Sequence, residues 1–237
     1  MDALDSNSSK ARINNISLGP FERRVLPWMA VRLPEWVIPD HLTGLGLAAT
    51  LIIGAAYWLT NFNSNWLWVV NAGLVLHWWA DSLDGTLARV RHIERERYGL
   101  FVDHFSDAIS TFVICFAMGL SNFMEMNLAL LLIIAYFSMT ILVYLVTIAR
   151  GVFKISFVGF GPTEVRLAII ISNIIVWWFN NPTFNILGKR FTLFSLLALG
   201  AALVLFSLFL SFGVIEGRKL YKLDPPKFRQ PTKSGDQ

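Results

Sequence analysis

Six apolar runs, at residues 42–60, 66–80, 108–120, 128–149, 167–179 and 191–215, dominate this 237-residue chain and leave little polar sequence for a water-facing surface. A chain of this length allows one or two soluble domains, but 55% of its residues are hydrophobic and 14% aromatic. The expected fold class is therefore all-α, a polytopic membrane protein with six transmembrane helices. Several runs fall short of the ~20 residues that a crossing needs. The second and third reach that length only if helix continues into the flanking sequence, which carries aspartates.

The basic residues give an orientation. Eighteen of the twenty Lys and Arg lie before the first run, between the second and third, between the fourth and fifth, or after the sixth; only Lys189 and Arg190 oppose them. The positive-inside rule then makes both termini and the aspartate-bearing segment cytoplasmic. Trp58, Trp66, Trp68, Trp177 and Trp178 stand at the far ends of their runs, as an aromatic belt would. This spread of charge among short connections is a topology signal, so no nucleic-acid partner is expected. The single cysteine, Cys115, lies inside an apolar run and can form no internal disulfide; it reads as a small packing residue. No soluble domain, tandem repeat or glycine-rich phosphate loop is present.

Four segments follow. Residues 1–17, polar and rich in Ser and Asn, read as a disordered cytoplasmic tail without a cleaved signal peptide. Residues 18–38 mix apolar and basic side chains, which suits an amphipathic segment in the headgroup layer, broken into short pieces by Pro27 and Pro34. Residues 39–220 form the six-helix body. Residues 221–237 form a basic, proline-rich cytoplasmic tail suited to anionic headgroups. At the start of the body Pro39 stops the chain, and Asp40 or Thr43 is placed to cap the first helix.

Between the second and third runs stands DSLDGTLARVRHIERERYGLFVDHFSD, residues 81–107. On a helix of about 100° per residue, Asp81, Asp84, Gly85 and Ala88 share one face, and Gly99, Asp103 and Asp107 share another. An antiparallel hairpin of the two helices brings the four carboxylates together. Two carboxylates 4 Å apart repel by about 4 kcal/mol at an effective dielectric near 20, so a positive group must sit among them. Carboxylates without His or Cys suit a hard cation, Mg²⁺, Mn²⁺ or Ca²⁺, and four of them can clamp two such ions. The small residues Gly85 and Ala88 leave room for a bulky ligand beside the metals, and Arg89 is placed to meet phosphate charge. The plainer alternative is that Arg89, Arg91, Arg95 and Arg97 pair with the aspartates in a cytoplasmic loop.

The pattern DxxDGxxAR, a spacer and GxxxDxxxD resembles the signature of the CDP-alcohol phosphotransferase (CDP-alcohol phosphatidyltransferase) family, with Asp81, Asp84, Gly85, Ala88, Arg89, Gly99, Asp103 and Asp107 all matching. The spacer is one residue longer than the family's usual eight. The resemblance implies a phospholipid-synthesis enzyme that moves a substituted phosphate from a CDP-alcohol to an acceptor hydroxyl with release of CMP. It implies two divalent cations held by Asp81, Asp84, Asp103 and Asp107, Asp107 acting also as base, and nucleotide binding at Gly85, Ala88 and Arg89. One substrate would be a lipid and the other soluble, meeting at the bilayer surface; homodimers are common in the family.

Which substrate carries the CDP is a separate question. The short chain and six apolar runs favour CDP-diacylglycerol. His104 after Asp103, and the tetrapeptide GPTE at 161–164, resemble instead the choline and ethanolamine phosphotransferases, which use a soluble CDP-amino alcohol with diacylglycerol. In either case His104, Glu164 and Arg166 are expected on the acceptor side. His77, one turn before Asp81, either extends the site into the membrane or hydrogen-bonds a neighbour. The competing function class is an ion or proton transporter, because intramembrane acids often mark a pathway; an inactive relative serving as a scaffold is a third reading.

Overall fold

The computed structural model describes residues 19–150, 162–186 and 188–226. The expected tail at 1–17 and most of the basic tail lie outside them, as does Gly161. The described chain folds into seven helices and one small hairpin: α1 Gly19–Arg32, α2 Pro39–Leu59, α3 Trp66–Arg91, α4 Glu96–Leu120, α5 Met126–Arg150, α6 Pro162–Phe179, β1 Thr183–Ile186, β2 Lys189–Thr192 and α7 Leu193–Leu223. Five of these, α2, α4, α5, α6 and α7, are long and apolar enough to cross a membrane. The sixth expected crossing is α3, which is long enough but carries acids and arginines through its last turns.

The expected continuation of helix past the apolar runs is present. The 26 residues of α3 reach roughly 39 Å at about 1.5 Å per residue, beyond the ~30 Å of a hydrocarbon core. Asp81 and Asp84 ride on this extension, and α4 begins early enough to include Asp103 and Asp107. Between them lies a short turn in which His92 is left-handed (φ 54°) and caps α3.

One sequence expectation is corrected: Pro27 does not break α1. Leu26 and Ala30, on either side of it, are buried with Leu83 and Leu87 of α3, and burying a leucine side chain, at about 1.5–3 kcal/mol, with about 0.8 kcal/mol more for a methyl group, offsets much of the ~3 kcal/mol cost of an internal proline. The all-α body carries one small hairpin, in which β1 and β2 pair antiparallel between α6 and α7 with Gly188 (φ 77°) in their turn.

The packing is ring-like. Helix α2 lies against both α3 and α4, α4 against α5, α5 against α7, and α6 joins α7 back to α3. Side chains of α3 and α4 share one core, where Leu67, Val70 and Leu74 cluster with Ile114, Ala117 and Met118. What draws α2 and α3 together is a close approach at Gly73, where even a methyl group would come within 2.6 Å of Ile53. At the end far from the aspartates, Trp58, Trp66, Trp68 and Trp178 are exposed, and Trp68 meets Trp177 edge-on at 5.4 Å.

Candidate active site

The slot between α3 and α4 is where the carboxylates face each other. Carboxylate oxygens of Asp81, Asp103 and Asp107 lie within 4.8 Å of one another. Asp84 stands apart from that trio. Its Oδ2 accepts a hydrogen bond from Thr43 Oγ1 of α2 at 2.7 Å, and its Oδ1 accepts from the Gly85 amide at 2.5 Å. Thr43 is thus a holder of Asp84 and not the helix cap expected from its position. The signal for it was in the sequence: Thr43, Gly46 and Thr50 fall on one face of α2, and Thr50 in turn hydrogen-bonds Ser110 of α4 at 2.9 Å. The cavity between the helices is lined by Thr43, Gly46, His77, Asp81, Asp84 and Asp107, with Leu47, Ser106 and Ser110 completing its floor.

The positive group within the cluster comes from α6. Arg166 donates through Nη2 to Asp81 Oδ2 at 2.8 Å and lies 3.9 Å from Asp107 Oδ1; its side chain is only 11% exposed. Two arginines of the α3–α4 turn have partners elsewhere. Arg91 donates to the carbonyls of Leu33, Pro34, Glu35 and Val37, clamping the link between α1 and α2, and Arg95 pairs with Asp40 and lies over the Tyr98 ring. Arg89 reaches the hydroxyl of Thr86. Arg166, 59 positions beyond the last of the four aspartates, thus supplies a counter-charge that a pairing confined to the loop does not include.

The remaining candidate residues divide by face. Gly85, Ala88 and Arg89 continue the acidic face of α3 outward, with Arg89 exposed. A methyl group at Gly85 would meet only the Arg89 guanidinium, at 3.5 Å, and one at Gly99 would meet nothing within 4 Å, so packing within the chain does not account for either glycine. His77 is buried and lines the cavity. His104 turns toward α5, where its ring meets Tyr144 edge-on at 5.5 Å. Glu164 lies half-buried in the first turn of α6, two residues before Arg166.

Three oxygen donors from two helices, with no thiolate or imidazole among them, fit a hard divalent cation. The Arg166 guanidinium already balances part of the charge there, so a cation and Arg166 would compete for, or share, the same oxygens. A helical bundle with apolar walls and a carboxylate-rich slot at one end defines an integral membrane protein built to handle charged groups beside lipid. The sequence model described as CDP-alcohol phosphatidyltransferase matches residues 36–214, and the chain belongs to that family. No curated protein matches the sequence. Membership gives the activity class, a transferase of lipid synthesis that uses a CDP-alcohol, and the matched stretch runs from the α1–α2 link into α7.

Proposed function

We propose that the slot between α3 and α4 is the active site of a metal-dependent phosphotransferase that joins an acceptor alcohol to the phosphate of a CDP-alcohol, releasing CMP. The observation that carries this reading is the convergence of Asp81, Asp103 and Asp107 within 4.8 Å from two helices. Three carboxylates share the one Arg166 guanidinium seen beside Asp81 and Asp107, and a bound cation would balance the charge that remains.

Asp81, Asp103 and Asp107 would hold the cations, with Asp84, hydrogen-bonded by Thr43, as a further ligand. Mg²⁺ or Mn²⁺, or Ca²⁺ in their place, would supply charge neutralisation of the diphosphate and of the departing phosphate when bound. Gly85, Ala88 and Arg89 receive the nucleotide on the exposed face of α3. Asp107 accepts the proton of the acceptor hydroxyl as its oxygen bonds to phosphorus and the bond to CMP breaks, the electron pair leaving with CMP. Arg166, which pairs with Asp81, is the guanidinium at this site suited to bind a phosphate oxygen of the donor.

The catalytic body is residues 39–220, flanked by an interfacial arm at 18–38 and a basic tail at 221–237, and it works as a homodimer with its active site and both termini cytoplasmic. The donor is CDP-diacylglycerol and the acceptor a soluble alcohol. The second reading, a soluble CDP-amino alcohol with diacylglycerol, rests on His104 and the GPTE tetrapeptide. In both, His104, Glu164 and Arg166 serve the acceptor side. The transporter reading is disfavoured by what lies beneath the acids. Tyr57 donates to Asn173 Oδ1 at 3.1 Å, and Asn173 donates to Asn71 Oδ1 at 2.8 Å, a closed set of neutral groups in place of a relay of acids.

The test is a cross of both donors with both acceptors, scored by CMP release with and without EDTA. Turnover with CDP-diacylglycerol that EDTA abolishes is the expected result. Turnover only with CDP-choline or CDP-ethanolamine would reassign the donor, and no CMP from any pair would overturn the enzyme reading.

A further inference from the structure

One carboxylate oxygen on the outer helix α1 ties α3 to α6. Glu22 Oε1 accepts from Trp78 Nε1 at 3.1 Å and from Thr163 Oγ1 at 2.8 Å. Trp78 stands three residues before Asp81 on α3, and Thr163 three residues before Arg166 on α6. The two groups that Glu22 grips are therefore each about one turn from an end of the Arg166–Asp81 ion pair. The other side-chain ties along this pair of helices, Asn71 to Asn173 and Asn65 to Trp177, lie toward the opposite end. A glutamate that merely capped α6 would bond its first-turn amides. Glu22 instead bonds side chains of two different helices, so what it fixes is their separation. It can do so firmly because Leu26 and Ala30, one and two turns further along α1, are buried against Leu83 and Leu87.

We propose that Glu22 is a positioning residue: by bridging Trp78 and Thr163 it sets how far α6 stands from α3, and so where the Arg166 guanidinium lies relative to Asp81 and Asp107. This rests on the reading of Arg166 as part of the transfer site. An interfacial helix that touches no reacting group would then control the charge geometry of the site through a single side chain.

The experiment uses the full chain in lipid nanodiscs. Glu22→Ala and Thr163→Val should each lower kcat for CMP release by about 10-fold, because small displacements of a charged group are costly in rate, while the donor KM changes by less than about 2-fold. Glu22→Gln retains an oxygen that can accept both bonds and should stay within about 2-fold of the parent. In an Arg166→Gln background, Glu22→Ala should add no further loss. A second readout needs no activity: with Cys115→Ala, spin labels at Val75 of α3 and Leu167 of α6, both exposed, should report a broadened distance distribution in Glu22→Ala but not in Glu22→Gln. Full additivity of Glu22→Ala with Arg166→Gln would overturn the proposal, as would an unchanged label distance or a Glu22→Gln variant as impaired as Glu22→Ala. A parent protein that releases no CMP would count against the enzyme reading alone, and the label distances would still decide whether Glu22 sets the helix separation.

Discussion

Arg166 and Asp81 meet at 2.8 Å although 85 positions separate them, and the same guanidinium lies 3.9 Å from Asp107. A single cation-bearing side chain on α6 thus balances acids on both α3 and α4. The guanidinium relieves part of the site's repulsion from within the chain, and on the proposed reading a divalent cation from solution would compete with it for the same oxygens.

That competition gives the first prediction. Arg166→Gln leaves the carboxylate trio without its internal counter-charge, and breaking a partly buried ion pair from one side costs about 3–5 kcal/mol. The variant should unfold at lower temperature without divalent cation and regain most of the loss when Mn²⁺ is added, whereas the parent gains less. A thermal shift titration in detergent measures both; equal Mn²⁺ gains in the two proteins would separate Arg166 from the cation site.

The aspartates should differ among themselves. Asp81→Asn and Asp103→Asn each remove a charged oxygen from the trio and should abolish Mn²⁺ binding and CMP release together, and Asp84→Asn should do the same while weakening the bond from Thr43. Asp107→Asn should keep measurable metal binding while turnover falls by ~10² or more. Mn²⁺ titration followed by electron paramagnetic resonance, beside the activity assay, distinguishes them. If Asp107→Asn loses metal as completely as Asp81→Asn, Asp107 is a ligand first.

Gly85→Leu should fold and fail to bind nucleotide. The added Cβ meets only Arg89 at 3.5 Å, and leucine is a better helix former by up to ~1 kcal/mol, so the helix itself does not suffer. Affinity for a CDP-alcohol, measured by calorimetry, should drop below detection with an unchanged melting temperature. Unaltered affinity would move the nucleotide off this face.

Asn173 is fully buried and bonds both Tyr57 and Asn71. Asn173→Leu leaves two buried polar partners unsatisfied and should cost about 2 kcal/mol, while Tyr57→Phe, which removes one partner, should cost about half as much. Unfolding by SDS titration in mixed micelles ranks the two variants, and activity near the parent's is expected at temperatures where both remain folded.

The apolar runs, the belt of tryptophans and the spacing of the aspartates already determined an all-helical membrane fold and the face on which each acid sits, because hydrophobic length and helical period are local properties of the chain. The family signature was legible for the same reason, being confined to one segment of two helices and a turn. Local rules failed where packing outweighed them. Pro27 stays inside α1 because Leu26 and Ala30 are buried with α3, and Thr43 turns from a helix start to Asp84. Only the tertiary structure decided that α2 packs against both α3 and α4 beside the slot, and that Arg166 of α6 reaches its acids. Those are long-range choices of charge and volume. Arg91 and Arg95 bond carbonyls of the α1–α2 link and the Asp40 carboxylate, whereas Arg166 enters from a helix whose position depends on the whole ring of contacts.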